Sequence, residues 1–176
     1  MDPPFIQQRH RPPTPLDRPR ELIVACAPMR SNVNLSRIVR TAGCCGVSVV
    51  ICCGNAKVIG KIARDSVADE ADEGTPIGVE LRVHRTLAPP LVELKRDGYR
   101  LVGLEQTTGS RSLHEYAFPR RTVLVVGNER SGIDEEVLRL LDDVIEIPVW
   151  GRPYAYNAAT AASMALYEYC RQWPTG

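Results

Sequence analysis

The sequence predicts an α/β protein built on a parallel sheet with helices on both faces. Two observations carry that expectation. Short apolar runs of the fully buried strand type recur along the chain, and each is followed by a stretch with helical spacing. Hairpin signals are scarce, so successive strands are joined by crossovers, as parallel pairing requires.

The elements follow in order. "ELIVACAP" (21–28) is a short apolar run closed by proline. "NLSRIVRTAGCC" (34–45) places Leu35, Ile38, Val39 and Ala42 at helical spacing and stops at Gly46. "VSVVICC" (47–53) reads as another buried strand. A weaker helix is expected from Lys57 to about Ala71, then an acidic loop "DEADEGTP" (69–76). "VELRVH" (79–84) alternates like a strand, and "TLAPPLVELKRDG" is a helix with prolines at its start and Gly98 past its end. "YRLVGLEQ" (99–106) is a strand, and "SLHEYAFP" a helical turn and connection. Strand 122–126, helix "DEEVLRLLD", strand "DVIEIPV" (143–149) and a helix from Asn157 to about Arg171 complete the pattern.

The 176 residues suit one domain, and a net charge of +1 offers no global field for nucleic acid, so any such surface must be local. The N-terminal segment lacks the apolar core of a signal peptide, and no apolar run reaches membrane-spanning length. Residues 1–20, rich in Pro and Arg, are expected to form a flexible arm whose Arg9, Arg11, Arg18 and Arg20 could touch a polyanion; residues 21–176 form the domain. The pairs Cys44–Cys45 and Cys52–Cys53 lack zinc spacing, since adjacent residues diverge on helix or strand alike. They read as small apolar fillers in a reduced, cytoplasmic protein without a metal site.

In such sheets ligands bind beyond the carboxyl ends of the strands. That directs attention to 28–34, 104–108, 127–132 and 148–157. The strand 122–126 runs into "GNERSGI", an order that often marks a phosphate cradle. Glu129 in mid-loop would repel phosphate, and neither GxxxxGK[ST] nor GxGxxG is present. Asn34 and Arg40 lie six positions apart and cannot share a helix face, so Asn34 should act from the loop or cap and Arg40 from the helix body. Arg37 is the better candidate for plain solvent exposure. Asn157 stands where a helix N-cap would, before a run of small residues.

Taken together, "NLSRIVRTAGCCGV", "VLVVGNERSGI" and "IEIPVWGRPYAYNAATAASMALYE" resemble the three ordered motifs of the SpoU branch of the SPOUT RNA methyltransferases. The resemblance covers about Glu21 to Arg171 and is strongest to the catalytic domains of the TAR RNA-binding protein 1 group, with bacterial TrmH enzymes as close kin. It implies a SPOUT fold with a C-terminal trefoil knot, a homodimer, and S-adenosylmethionine as methyl donor. It further implies 2′-O-methylation of RNA ribose, with the D-loop guanosine 18 of tRNA favoured and ribosomal RNA as the alternative. Carried over residue by residue, Leu104, Gly127, Ile147 and Tyr156, with Gly132 and Gly151 beside them, would hold the donor. Arg40, Asn34, Glu129 and Asn157 would form the catalytic set. Arginine stays protonated, so Arg40 suits anchoring a phosphate better than acting as a base.

The chain departs from the family pattern S-L-N-V-S, which reads here as Ala155-Tyr156-Asn157-Ala158-Ala159, so two serine hydroxyls are absent. Trp150 and Arg152-Pro153 are also unusual in that loop. A module that binds RNA or the donor without turnover is the alternative these losses suggest. A different nucleotide-dependent enzyme would need an NAD or ATP fingerprint, and none is present.

Overall fold

A computed structural model describes residues 12–54, 59 and 78–176. The expected helix from Lys57 and the acidic loop 69–76 lie outside them, except that Ile59 is helical and buried. Among the described residues seven strands form one sheet: β1 (Leu22–Cys26), β2 (Val49–Cys53), β3 (Glu80–His84), β4 (Arg100–Leu104), β5 (Arg111–Ser112), β6 (Thr122–Val126) and β7 (Asp143–Glu146). Their spatial order is β3-β2-β1-β6-β4-β7-β5, and every pairing is parallel. The helices whose bounds lie within the described residues are α1 (Asn32–Cys44), α2 (Ala88–Arg96), α3 (Glu135–Leu138) and α4 (Ala158–Gln172).

The period of two along each central strand sends alternate residues to opposite layers. Leu22, Val24 and Cys26 of β1 pack with Leu35, Ile38, Val39 and Ala42 of α1 and with Ala159, Ala162, Ala165, Leu166 and Tyr169 of α4. Ile23 and Ala25 face the other way, toward Leu91 of α2 and Val137 of α3. The small residues of α4 lie on its buried side and let it settle against α1, where Thr41 and Ser163 share a hydroxyl hydrogen bond of 3.2 Å. Burying a Leu or Ile side chain contributes about 1.5–3 kcal/mol, so these two layers carry the fold.

Three elements differ from the sequence expectation. α1 begins at Asn32, because the Ser31 hydroxyl caps it by accepting from the Asn34 amide at 3.3 Å. α3 is a single turn rather than a nine-residue helix; its chain then leaves to place Asp142, whose carboxylate accepts from the Leu101 amide at 2.9 Å. The two-residue edge strand β5 ends on the first residue of "SLHEYAFP", where a turn is expected, and is too short to leave a periodic signal.

The cysteines also divide. Cys52 and Cys53 are buried as expected and half-buried Cys45 packs against the core, but Cys44 is exposed at the end of α1 and is not core filler. Arg20, offered above as a polyanion contact, is instead buried, donating to the carbonyls of Trp173 and Pro174 beneath the Tyr169 ring. Arg9 and Arg11 lie outside the described residues.

Candidate active site

β1, β6, β4 and β7 are neighbours in the sheet, and their registers pair Cys26 with Val126, Val126 with Leu104, and Leu104 with Ile145. Their carboxyl ends therefore finish level, and the four loops that leave them meet at one edge. That edge holds a cavity of about 320 Å³ whose walls include Leu104, Gly127, Gly132, Ile147, Tyr156 and Asn157.

The loop 127–133 is closed by its own main chain. Asn128 N–H donates to the Gly132 carbonyl at 2.9 Å, and Gly132 N–H returns to Asn128 at 3.0 Å. The Asn128 side chain organises the same loop, accepting from the Arg130 amide at 2.9 Å and donating to the Pro28 carbonyl at 2.6 Å. A Cβ on Gly127 would lie 2.5 Å from the Gly132 carbonyl carbon, and Gly132 has φ +68 with the Glu105 carboxylate against it. Both positions require glycine. Glu105 ties the loop to β4 by accepting from Ile133 N–H at 3.0 Å.

Glu129 points out of this loop toward the start of α1. It accepts from the amides of Arg30 and Ser31, at 2.9 and 3.1 Å, and from the Asn34 side-chain amide at 2.9 Å. Partial burial pushes its carboxyl up, but the donors from Arg30, Asn34, its own main chain and Ser31 together outweigh that and bring it from 4.5 to about 2. The site thus holds a fixed negative charge at neutral pH.

Asn34 is not the helix cap; it sits in the first turn of α1, 6% exposed, with both ends of its amide engaged. Its nitrogen donates to Glu129, and its oxygen accepts from Asn157 Nδ2 at 3.2 Å. Asn157 is the N-cap of α4, its Oδ1 accepting from Ala159 and Thr160 at 3.0 and 3.3 Å. Glu129, Asn34 and Asn157 form one chain of hydrogen bonds that joins segments about a hundred residues apart.

Of the residues singled out in the sequence, the structure brings Asn34, Glu129 and Asn157 into contact, and Leu104, Gly127, Gly132, Ile147 and Tyr156 into the cavity wall. Gly151 is apart, with open space around its Cα. Arg40 does not line the cavity; it is exposed on α1, as Arg37 is, so Arg37 is not alone in facing solvent. Sequence reasoning missed Glu105 and Asn128 as loop anchors. Both lie in the post-strand stretches it pointed to, but their roles depend on which strands are neighbours.

The sequence pattern of the SpoU rRNA Methylase family matches residues 21–167. The chain belongs to the SpoU family. A mouse (Mus musculus) relative, tRNA (guanosine(18)-2′-O)-methyltransferase TARBP1, is 31% identical over 86% of this chain, which spans only 9% of it. The Aquifex aeolicus tRNA (guanosine(18)-2′-O)-methyltransferase is 30% identical over 88% of the chain and 71% of its own length. For the Escherichia coli K12 enzyme of the same name the values are 28%, 88% and 65%. The crystal structure of the A. aeolicus TrmH/SpoU tRNA modifying enzyme superposes with a TM-score of 0.76 at 28% identity, covering 90% of this chain and 78% of that one. Streptomyces viridochromogenes AviRb, solved with AdoMet, shares the fold at a TM-score of 0.72 and 24% identity, over 92% of this chain and 64% of its own. These two SpoU proteins thus share the fold of this chain.

Proposed function

We propose that this SpoU family chain is an S-adenosylmethionine-dependent RNA ribose 2′-O-methyltransferase whose substrate is the D-loop guanosine of tRNA. The observation that carries the reading is the Glu129–Asn34–Asn157 chain at the rim of a glycine-lined cavity. The residues present fit the donor. Gly127 and Gly132 let the loop close tightly on itself and on Glu105 while both line the cavity, Leu104 and Ile147 supply apolar wall, and the ionised Glu129 complements a cationic sulfonium. When bound, S-adenosylmethionine supplies an electrophilic methyl group.

The chain's own residues then position the other reactant. A ribose hydroxyl is a weak nucleophile and gains most from being held in line. Asn34 cannot rotate without breaking a hydrogen bond at each end, so it is a fixed polar contact beside the cavity. Arg40, permanently charged and exposed, suits an RNA phosphate. It does not line its own chain's cavity, which favours a homodimer in which one protomer's Arg40 serves its partner. The exposed apolar groups of α1 and α4, Val33, Met164 and Tyr167, support the same assembly. The close-packed alanines after Asn157 support the threading of this segment as the family's trefoil knot, and six free cysteines suit a reducing cytoplasm.

The test is transfer of a labelled methyl group from S-adenosylmethionine to unmodified tRNA, beside an Arg40→Ala variant. We expect label in alkali-resistant D-loop dinucleotides, lost on substitution. Label on ribosomal RNA alone would reassign the substrate. Donor binding with no label on either RNA would leave a binding module, the reading favoured by Ala155 standing in the cavity wall where the family pattern has serine.

A further inference from the structure

The segment between β7 and α4 carries more aromatic surface than packing explains. Trp150, Tyr154 and Tyr156 are three of the chain's ten aromatic residues (two Trp, six Tyr, two Phe), and all fall within seven positions. Trp150 is 82% exposed and Tyr154 70%. Leaving such large apolar rings in water forgoes the burial that drives folding, so a cluster of them marks a contact surface.

The cluster is held in place. Val149 before it and Ala155 after it both line the cavity, so residues 150–154 arch outward from the cavity rim. Trp150 follows directly on Val149, and consecutive Cα atoms are only about 3.8 Å apart. Gln106 Nε2 donates to the Tyr154 carbonyl at 3.3 Å, tying the arch to the loop after β4. His114 flanks the Trp150 ring, with centroids 6.2 Å apart and planes at 43°. The Arg152 guanidinium lies 5.6 Å from the Tyr154 ring centre, and Arg130 stands exposed in the cavity wall. Among the described residues, neither arginine makes an ion pair.

Open aromatic faces interleaved with unpaired arginines are what an unpaired nucleobase and its phosphates require. A protein partner of ordinary interface character would need a broader apolar area than this five-residue arch supplies. We propose that Trp150 and Tyr154 form a stacking platform for an unpaired base of the RNA substrate next to the nucleotide whose ribose enters the cavity, with Arg152 and Arg130 neutralising the adjoining phosphates. The proposal rests on the methyltransferase reading and extends it to how looped RNA is selected over duplex, whose bases are already stacked.

The experiment compares wild type with Trp150→Ala and Trp150→Phe on an unmodified tRNA transcript. It records KM for RNA, kcat at saturating RNA, the calorimetric Kd for S-adenosylmethionine, and quenching of tryptophan emission on RNA binding. We expect Trp150→Ala to raise KM by about 5- to 150-fold, the range for one base–aromatic stack. The kcat and the donor Kd should stay at wild-type values, and Trp150→Phe should recover most of the affinity. Wild-type emission should be quenched by tRNA, and Trp150→Phe, which leaves only Trp173, should not be. An unchanged KM in Trp150→Ala, or a donor Kd that moves with it, would overturn the platform. So would a fall in solution mass, which would make the arch a contact between copies. Quenching measures RNA binding without turnover, so wild type that is quenched but transfers no methyl sinks the methyltransferase reading and leaves the platform standing.

Discussion

Replacing Glu129 by Gln keeps the shape of the side chain and removes one acceptor. The carboxylate receives three hydrogen bonds at 2.9–3.1 Å; Gln can keep the pair from Ser31 and Asn34 only by turning its own NH₂ toward the Arg30 amide. A hydrogen bond to a charged group is worth about 1.5–3 kcal/mol, and water can replace part of it at the exposed Arg30 end. Linkage leads to the same size. A carboxyl drawn from 4.5 to about 2 corresponds to at most about 3 kcal/mol, which solvent screening at this half-exposed position lowers to about 1–2 kcal/mol. The sign follows from the folded value lying below the unfolded one. The stabilisation is complete above about pH 5 and is lost as pH falls toward 2. Urea unfolding of wild type and Glu129→Gln across that range isolates this group, because the other carboxylates are common to both proteins. We expect a gap of about 1–2 kcal/mol at pH 7 that closes toward pH 2. Methyl transfer should fall at least about tenfold as the site loses its fixed negative charge. Equal stability at pH 7, or a gap that does not narrow in acid, would refute this account of the loop.

Three further outcomes are expected. Gly127→Ala drives a Cβ into the Gly132 main chain and should cost about 1–3 kcal/mol in thermal unfolding, with donor binding by calorimetry lost alongside. Asn157→Ala removes the cap of α4 and should cost about 1 kcal/mol; Asn157→Asp keeps the cap but sets a carboxylate oxygen against Asn34 Oδ1, so it too should unfold more easily, by about 1–2 kcal/mol, while methyl transfer falls. Arg20→Ala frees the carbonyls of Trp173 and Pro174 and should cost about 1–2 kcal/mol, seen as faster proteolysis near the C-terminus.

The fold was legible because parallel strands buried on both faces leave unbroken apolar runs, as in Leu22–Cys26 and Thr122–Val126. β5 escaped notice because two residues cannot display a period, and α3 was overestimated because the helical spacing continues into Leu140 and Leu141, which pack against the far layer from a loop. At the site, Asn157 could be read as a cap from local chemistry alone. Asn34 could not: the choice between cap and first turn fell to Ser31, whose hydroxyl reached the amide first. The link between Glu129 and Asn34 spans 95 positions, and no local pattern encodes a contact made only when β1 and β6 become neighbours.

That long reach also has a temporal meaning. β1 sits between β2 and β6, so in the emerging chain this strand waits for one made about a hundred residues later before both its edges are paired. At about 5–20 residues per second of synthesis, that is a delay of many seconds. The hydrogen-bond chain closes later still, when Asn157 arrives. Until β6 and the loop after it have left the ribosome, the nascent chain carries an unpaired edge on β1 and an Asn34 with no Glu129 to hold it. This is the interval in which a folding helper has most to shield, and a mutation that slows β6 docking would reveal itself first as lost yield rather than lost activity.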